Sequence, residues 1–80
     1  MTERLEDDKK VVGLNQVKRA IFSSTASIVY IAEDAEKKVK DEILALCEKE
    51  QIPIIKVSTM KDLGDACGID INAATAALLI

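Results

Sequence analysis

Apolar positions along the chain fall into short strand-like runs separated by helical stripes. The runs "SIVYIA" at residues 27–32 and "IPIIKV", with its core at Ile54–Val57, are rich in β-branched residues and predict two buried strands. The C-terminal run "TAALLI" at residues 75–80 predicts a third, and Lys10–Val12 predicts a short strand before Gly13.

Helical periodicity fills the intervals between these strands. From Leu14 onward, apolar residues recur every three or four positions and predict a helix with one buried face. A second amphipathic pattern covers about residues 36–50, and a T-x-x-D capping box at residues 59–62 opens a helix that ends at Cys67, before Gly68. Residues 2–8 also favour a short helix.

Alternating strands and helices define the predicted fold class. We expect an α/β protein, a three-layer α-β-α sandwich with a small mixed sheet. A length of 80 residues leaves room for one hydrophobic core, and no repeat or Gly/Pro/Ser-rich linker divides the chain. Residues 1–80 are therefore expected to form a single domain.

Composition and charge narrow the class of protein. The residues are 49% hydrophobic and 31% charged, a balance typical of a soluble globular protein. No apolar run approaches the ~20 residues of a membrane helix, and the N-terminus has no signal-peptide core, so we expect a cytoplasmic protein with no membrane partner. The net charge is −3, yet residues 9–22 contain basic residues and no acid. The basic residues there are Lys9, Lys10, Lys18 and Arg19.

Several kinds of catalytic and metal site are excluded by residue type. The chain has no histidine, which rules out Ser-His-Asp and Cys-His nucleophile pairs. Cys47 and Cys67 cannot supply the four ligands of a structural zinc site, and both fall on apolar helical positions that favour buried thiols. The three glycines match no nucleotide-binding motif. We expect no metal and no cofactor.

Paired carboxylates give little support to an enzyme. Asp41 and Glu42 lie among lysines on the predicted solvated face of a helix. Glu33 and Asp34 directly follow a strand, where α/β proteins place either a ligand loop or the N-cap of the next helix. The simpler interpretation makes Asp34 that N-cap.

The helix start after Gly13 is the best candidate for a binding site. A helix N-terminus attracts anions, and Gly13 would allow a nucleic-acid backbone to approach closely. Asn15 and Gln16 carry amides suited to base edges, while Lys18 and Arg19 carry cations suited to phosphates or guanine. The alternative is an ordinary solvated helix face. With one Phe and one Tyr, a mode built on stacking single-stranded bases is not expected.

Five sequence blocks, in order, resemble a known family. They are "GLNQVKRAI", "IVYIAEDAE", "LCEKEQIPIIKV", "LGDACGI" and "AATAALLI". Over residues 11–80 the chain is similar to ribosomal proteins that bind RNA kink-turns, of the archaeal L-seven-Ae and eukaryotic L-thirty-e type, and above all to short bacterial YbxF-type members. The resemblance implies an α-β-α sandwich and binding to kink-turns, which are sharply bent helices flanked by tandem sheared G·A pairs.

The resemblance also implies site residues. The family motif Gly-x-Asn-Glu-x-x-Lys falls on Gly13, Asn15, Gln16 and Arg19, where Gly13 admits the RNA backbone, Asn15 and Gln16 read the G·A pairs, and Arg19 contacts a guanine or phosphate. Glu36 falls near a flipped-out base. A loop covering the extruded nucleotides is implied at Ile69, Asp70, Ile71, Asn72 and Ala73.

The chain also departs from the family pattern. Gln16 stands where many members have Glu, Arg19 replaces Lys, and Lys37 stands where Pro is common. The usual Arg-Gly after the first helix of the match reads Ser23-Ser24, and Asp70 places an acid near the expected RNA. These departures imply weaker binding than in archaeal members.

The sequence therefore leads to a non-enzymatic RNA-binding protein. We expect a monomer that recognises kink-turns and stabilises the bent RNA, in association with ribosomes or with a riboswitch-type messenger leader. The alternative is a protein-interaction module of the same fold with weak or lost RNA binding.

Overall fold

A mixed sheet of four strands forms the centre of the computed structural model, which describes residues 9–68 and 72–80. The strands are β1 (Lys10–Val12), β2 (Ala26–Ala32), β3 (Ile54–Val57) and β4 (Thr75–Leu79), in the order β1-β4-β2-β3. Strand β4 is antiparallel to both β1 and β2, while β3 is parallel to β2. Consequently β1, β2 and β3 all run in one direction. The helix predicted for residues 2–8 lies outside the described residues.

Each of these three co-directional strands is followed by a helix. Helices α1 (Leu14–Phe22), α2 (Lys37–Glu50) and α3 (Met60–Cys67) come directly after β1, β2 and β3. All three helices therefore begin at the edge of the sheet where those strands end, and β4 begins there as well. We call this the carboxyl edge.

Helices α1 and α2 cover one face of the sheet. Their apolar stripes pack against alternate residues of β2 and β4. Val17 and Ile21 of α1 and Ile43 and Cys47 of α2 are fully buried there, with Val29 of β2. The apolar residues that recur every three or four positions from Leu14 thus form the buried face of α1.

Helix α3 covers the opposite face. Leu63 and Cys67 pack there against Ala32 and Ala76, the strand residues adjacent to those that point toward α1 and α2. A strand buried on both faces accounts for the continuous apolar runs in the sequence. The predicted three-layer α-β-α sandwich is confirmed.

Most predicted boundaries agree with the structure to within one residue, and the capping signals around α3 are confirmed. The Thr59 hydroxyl accepts a hydrogen bond from the N–H of Asp62 at 3.0 Å, and Gly68 ends the helix in the left-handed conformation at φ 76°. Strand β2 begins at Ala26, with an irregularity before Ile28 where the Ser27 hydroxyl donates to the Leu78 carbonyl.

The prediction that Asp34 caps the helix that follows it is wrong. The N-cap of α2 is Glu36, which makes no capping hydrogen bond with its side chain. Asp34 lies two residues earlier, in the β2–α2 loop, and its Oδ1 instead accepts from the N–H of Met60, the first residue of α3. A loop that turns toward the opposite helical layer carries the carboxylate away from its own helix.

Both cysteines are buried and free, as expected. Cys47 is 0% and Cys67 1% exposed, and they lie in different core clusters on the two faces of the sheet. Burial raises the pKa of each thiol above its ordinary value. Within the described residues, no helix has the length and hydropathy needed to cross a membrane.

Candidate nucleic-acid interface

Gly13 joins β1 to α1 in a backbone conformation that few other residues can adopt. Its φ of 101° and ψ of 155° lie in a region that is populated almost only by glycine. A Cβ built on Gly13 would meet nothing within 4 Å, so the requirement for glycine comes from the backbone and leaves open space above the residue. Another molecule can therefore approach the chain closely at this point.

Thr75 holds this junction in place. Its carbonyl accepts a hydrogen bond from the Gly13 N–H at 2.9 Å, and its hydroxyl donates to the Tyr30 carbonyl at 2.7 Å. Thr75 is fully buried and so links the start of α1 to both β4 and β2. We did not predict this role from the sequence, although a polar residue opening the apolar run "TAALLI" was an available signal.

The exposed face of α1 displays amide and guanidinium groups. Asn15, Gln16 and Arg19 are all exposed, and their side chains make no hydrogen bond or ion pair with other described residues. The first turn of α1 contains no acidic residue, and Gly13 offers no side-chain cap, so its leading N–H groups and positive end are available to an anion. Phe22, 65% exposed, lies on the same side of the helix, one turn beyond Arg19.

Lys18 was expected on this face, and the structure places it elsewhere. Its Nζ lies 2.6 Å from Oε2 of Glu42 in α2, and its side chain is 29% exposed. At 100° per residue, Lys18 lies close to Leu14 around the helix axis and so points toward α2. Arg19 is a further 100° around the axis and points toward solvent. An ion pair between two packed helices leaves this cation less available than Arg19.

Gln16 and Arg19 border a shallow groove between α1 and the β1 side of the sheet. The groove has a volume of about 140 Å³. Val11, Ala20 and Leu79 contribute its apolar part, and Ser23 and Thr25 add hydroxyl groups at the far end. The two site residues therefore face a surface that continues past the end of α1.

The Ser23-Ser24 pair ends α1 with its own hydrogen bonds. The Ser23 hydroxyl lies 2.9 Å from the Arg19 carbonyl and 3.0 Å from the Thr25 hydroxyl. Ser24 adopts φ 60°, which is the left-handed conformation that glycine prefers. The chain thus keeps a glycine-like turn where the family that it resembles usually has Arg-Gly, and a short hydroxyl stands in place of the arginine side chain.

Glu36 and Lys37 lie at the start of α2, on the carboxyl edge. Glu36 is exposed. Lys37 occupies the first helical position, where a proline is readily accommodated. It donates to Oδ2 of Asp41 at 2.7 Å, and this hydrogen bond and the Asp41 charge raise the pKa of Lys37.

The predicted RNA-covering loop is described only in part, because Ile69, Asp70 and Ile71 lie outside the described residues. Asn72 is exposed, whereas Ala73 is 3% exposed and packs into the core beneath α3. The Ala73 N–H donates to the Met60 carbonyl at 3.0 Å. In the described structure Ala73 therefore anchors the segment to the fold, and Asn72 faces solvent.

The Asp34 carboxylate and the Glu33 backbone carbonyl, both after β2, have structural partners. Asp34 accepts from the Met60 N–H at 2.8 Å, and the carbonyl of Glu33 accepts from Nζ of Lys40. Across residues 9–68 and 72–80, no cluster of three or more Cys, Asp or Glu side chains could hold a metal ion.

Comparison with known proteins identifies the family. The model of the ribosomal protein L7Ae/L30e/S12e/Gadd45 family matches residues 2–79, and the chain belongs to this family. An RNA-binding protein of Caldanaerobacter subterraneus subsp. tengcongensis is 47% identical over 72 residues, covering 90% of this chain and 88% of the relative. The RNA-binding protein YbxF of Geobacillus stearothermophilus is 37% identical over 75 residues, covering 94% and 92%.

Solved structures share the fold. A protein of unknown function from Bacillus halodurans superposes with a TM-score of 0.81 at 26% identity, covering 88% of this chain and 70% of that one. A 15.5 kD RNA-binding protein of Giardia lamblia superposes with a TM-score of 0.84 at 22% identity, covering 90% and 61%. The names of the family and of the relatives from Caldanaerobacter and Geobacillus indicate RNA-binding proteins and not enzymes.

Proposed function

We propose that this protein binds RNA and recognises kink-turns through the start of α1. The observation that carries the proposal is the exposed set of Asn15, Gln16 and Arg19 on an acid-free first helix, directly after the glycine-specific turn at Gly13. Family membership and relatives that are named RNA-binding proteins support it.

The chemistry of these side chains suits a purine-rich groove. Each amide of Asn15 and Gln16 offers two N–H donors and a carbonyl acceptor, so it can pair with a base edge that presents both. Arg19 offers a planar fork of donors that fits guanine or phosphate in two parallel hydrogen bonds. Gln16 brings no negative charge toward the phosphates, which distinguishes it from the Glu common in the family.

The proposed mechanism is a shift of the RNA's conformational population. A protein that binds the kinked form more tightly than the extended form moves the equilibrium toward the kink by the difference in binding free energy. A rigid protein surface serves this best, because little ordering must accompany binding. The hydrogen bonds from Gly13 to Thr75 and from Thr75 to Tyr30 supply such rigidity at the junction.

We further propose that the protein acts as a cytoplasmic monomer on ribosomal RNA or on a structured messenger leader. Glu36 and Asn72 are exposed near the same carboxyl edge as Gly13 and Asn15, and we include them in the proposed RNA-facing set together with Ile69, Asp70 and Ile71, which lie outside the described residues.

A second candidate function is a protein-interaction module of the same fold. Phe22 favours it, since an aromatic ring that is 65% exposed beside Arg19 is also suited to a protein interface. The net charge of −3 and the pairing of Lys18 with Glu42 point the same way. Salt separates the two functions, because phosphate contacts weaken steeply as salt rises and apolar contacts do not.

The direct test compares two RNAs that differ only in the kink-turn. Binding is measured by fluorescence anisotropy with an RNA that contains the tandem G·A pairs and with one in which Watson–Crick pairs replace them. The proposal requires tighter binding to the first RNA at every salt concentration. Equal affinity for both would overturn kink-turn recognition, and binding to neither would favour the second candidate.

A further inference from the structure

Asp34 makes a long-range hydrogen bond that neither the family motif nor the proposed interface uses. Its Oδ1 accepts from the backbone N–H of Met60 at 2.8 Å, across 26 positions of sequence. Met60 is the first residue of α3, so the carboxylate occupies a capping position on a helix in the opposite layer from α2.

The same residue of α3 is bonded to the segment that precedes β4. The Met60 carbonyl accepts from the N–H of Ala73 at 3.0 Å, and the Ala74 carbonyl accepts from the N–H of Ala32 at 2.9 Å. Met60 therefore connects the β2–α2 loop, which contains Asp34, to the segment before β4, which contains Asn72. Both lead to proposed RNA-facing residues, Glu36 on one side and Asn72 on the other.

The capping of α3 does not depend on Asp34 alone. Thr59 already satisfies the N–H of Asp62 from its own side chain at 3.0 Å. A helix start leaves about four N–H groups without helical partners, so Asp34 satisfies a second one from outside the helix. Beyond capping α3, Asp34 connects the β2–α2 loop to the start of α3.

We propose that Asp34 is a positioning residue that sets the spacing between the Glu36 side and the Asn72 side of the carboxyl edge before RNA binds. This inference rests on the proposed function, because it assigns Asp34 a part in RNA affinity without any contact to RNA. A second hydrogen bond in the same loop, from the Glu33 N–H to the Val57 carbonyl at 2.7 Å, holds the residue before Asp34 to the end of β3. The start of the loop is thus tied to β3 through Glu33 and to α3 through Asp34.

The physical basis is the cost of ordering. If the Glu36 side and the Asn72 side move independently in the free protein, RNA binding must immobilise them, and the free-energy cost of this ordering weakens the affinity. This cost cannot exceed the free energy that the single Asp34–Met60 hydrogen bond contributes. For the proposed role, removal of the Asp34 carboxylate should weaken kink-turn binding roughly two- to tenfold.

The test compares three variants in two measurements. Asp34→Ala removes the acceptor, and Asp34→Asn keeps a carbonyl oxygen at the same place. Thr59→Ala weakens the same helix start at Asp62 without touching Met60. Each variant is measured for kink-turn affinity, and for backbone amide exchange of Met60 and Ala73 in the free protein by NMR.

We expect Asp34→Ala to speed exchange at Met60 and Ala73 and to weaken RNA binding by the stated factor. Asp34→Asn should bind RNA within about twofold of the wild type or more tightly, because the acceptor stays and a negative charge leaves. Thr59→Ala should speed exchange at Asp62 and leave the affinity unchanged.

Three results would overturn the inference: wild-type affinity in Asp34→Ala, an equal loss in Thr59→Ala, or unchanged exchange at Met60 in Asp34→Ala. Each of these leaves the proposed function intact if the wild type still prefers the RNA with G·A pairs. Absence of that preference in the wild type would overturn the proposed function and the RNA role of Asp34 together, so the two failures are distinguishable.

Discussion

The N–H of Gly13 donates to the carbonyl oxygen of Thr75 at 2.9 Å and ties the start of α1 to the start of β4. Gly13 is also the residue at which the backbone turns from strand to helix with φ 101°. This hydrogen bond therefore anchors the start of the helix that displays Asn15, Gln16 and Arg19. The exposed side chains depend on a buried partner in a distant part of the sequence.

The backbone at Gly13 gives the first prediction. Gly13→Asn should lower the free energy of unfolding by about 1–3 kcal/mol, since φ 101° with ψ 155° is a region that side chains avoid. Gly68→Asn is the matched control: Gly68 has φ 76° and ψ 26°, a left-handed conformation that Asn tolerates. Denaturant unfolding of both variants decides the point, and equal losses would contradict this account of Gly13.

Sequence patterns were sufficient to predict the layers of this fold. Continuous apolar runs and helical spacing identify β2, β3, β4 and the three helices because each element buries one face or both faces in the core. The Thr59 box and Gly68 locate α3 because capping depends on neighbouring residues alone. Capping residues and the spacing of buried residues can therefore be recognised in a single sequence.

Long-range partners were not predictable in the same way. Asp34 was assigned to its own helix, and it caps α3, because the sequence does not show which helix a loop faces. Lys18 was grouped with Arg19, and the packing of α1 against α2 brings it to Glu42 instead. Such contacts depend on how elements pack, and that information is spread over the whole chain.

The second prediction uses this difference between Lys18 and Arg19. Asn15→Ala and Arg19→Ala should each weaken kink-turn binding by about 1–3 kcal/mol if each makes a good base contact. Lys18→Ala should leave RNA affinity within about twofold and change stability by less than ~1 kcal/mol, since the Lys18–Glu42 ion pair is only partly buried and remains accessible to solvent. Anisotropy titrations of the three variants test this, and a loss in Lys18→Ala equal to that in Arg19→Ala would contradict the assignment.

The third prediction concerns the serine that replaces an arginine of the family. Ser23 is exposed and lies beside Gln16 and Arg19 at the groove. Ser23→Arg should tighten RNA binding, and one added phosphate contact should steepen the slope of log K against log salt by about 0.7–0.9. Ser23→Gln, which adds length without charge, serves as the control and should keep the wild-type slope. Identical slopes for Arg and Gln would show that no phosphate lies near this position.

The fourth prediction follows from the two buried thiols. Burial raises the pKa of Cys47 and Cys67 above the ordinary value of 9.0, so above that pH the unfolded chain releases thiol protons that the folded protein retains. The free energy of unfolding therefore keeps its full value below about pH 9. Above that pH it falls as the pH rises, by up to about 1.4 kcal/mol per pH unit for each thiol.

Urea unfolding at pH values from about 8 to about 10 measures how the free energy of unfolding changes with pH. The Cys47→Ala/Cys67→Ala double variant should be less stable at every pH, because it leaves cavities, and should show a shallower dependence on pH. The same slope in both proteins would mean that other groups control stability in this range. In the folded wild type, both thiols should also react slowly with thiol reagents.

The central claim is that this protein favours the bent form of a kink-turn, and energy transfer between dyes at the two ends of the RNA measures the bend directly. In buffer without divalent ions, we expect the wild-type protein to raise transfer in the RNA with G·A pairs, and the Asn15→Ala/Arg19→Ala variant to need much more protein for the same change. Unchanged transfer at concentrations where the wild-type protein is bound, or an equal rise in the RNA whose G·A pairs are replaced, would contradict the claim.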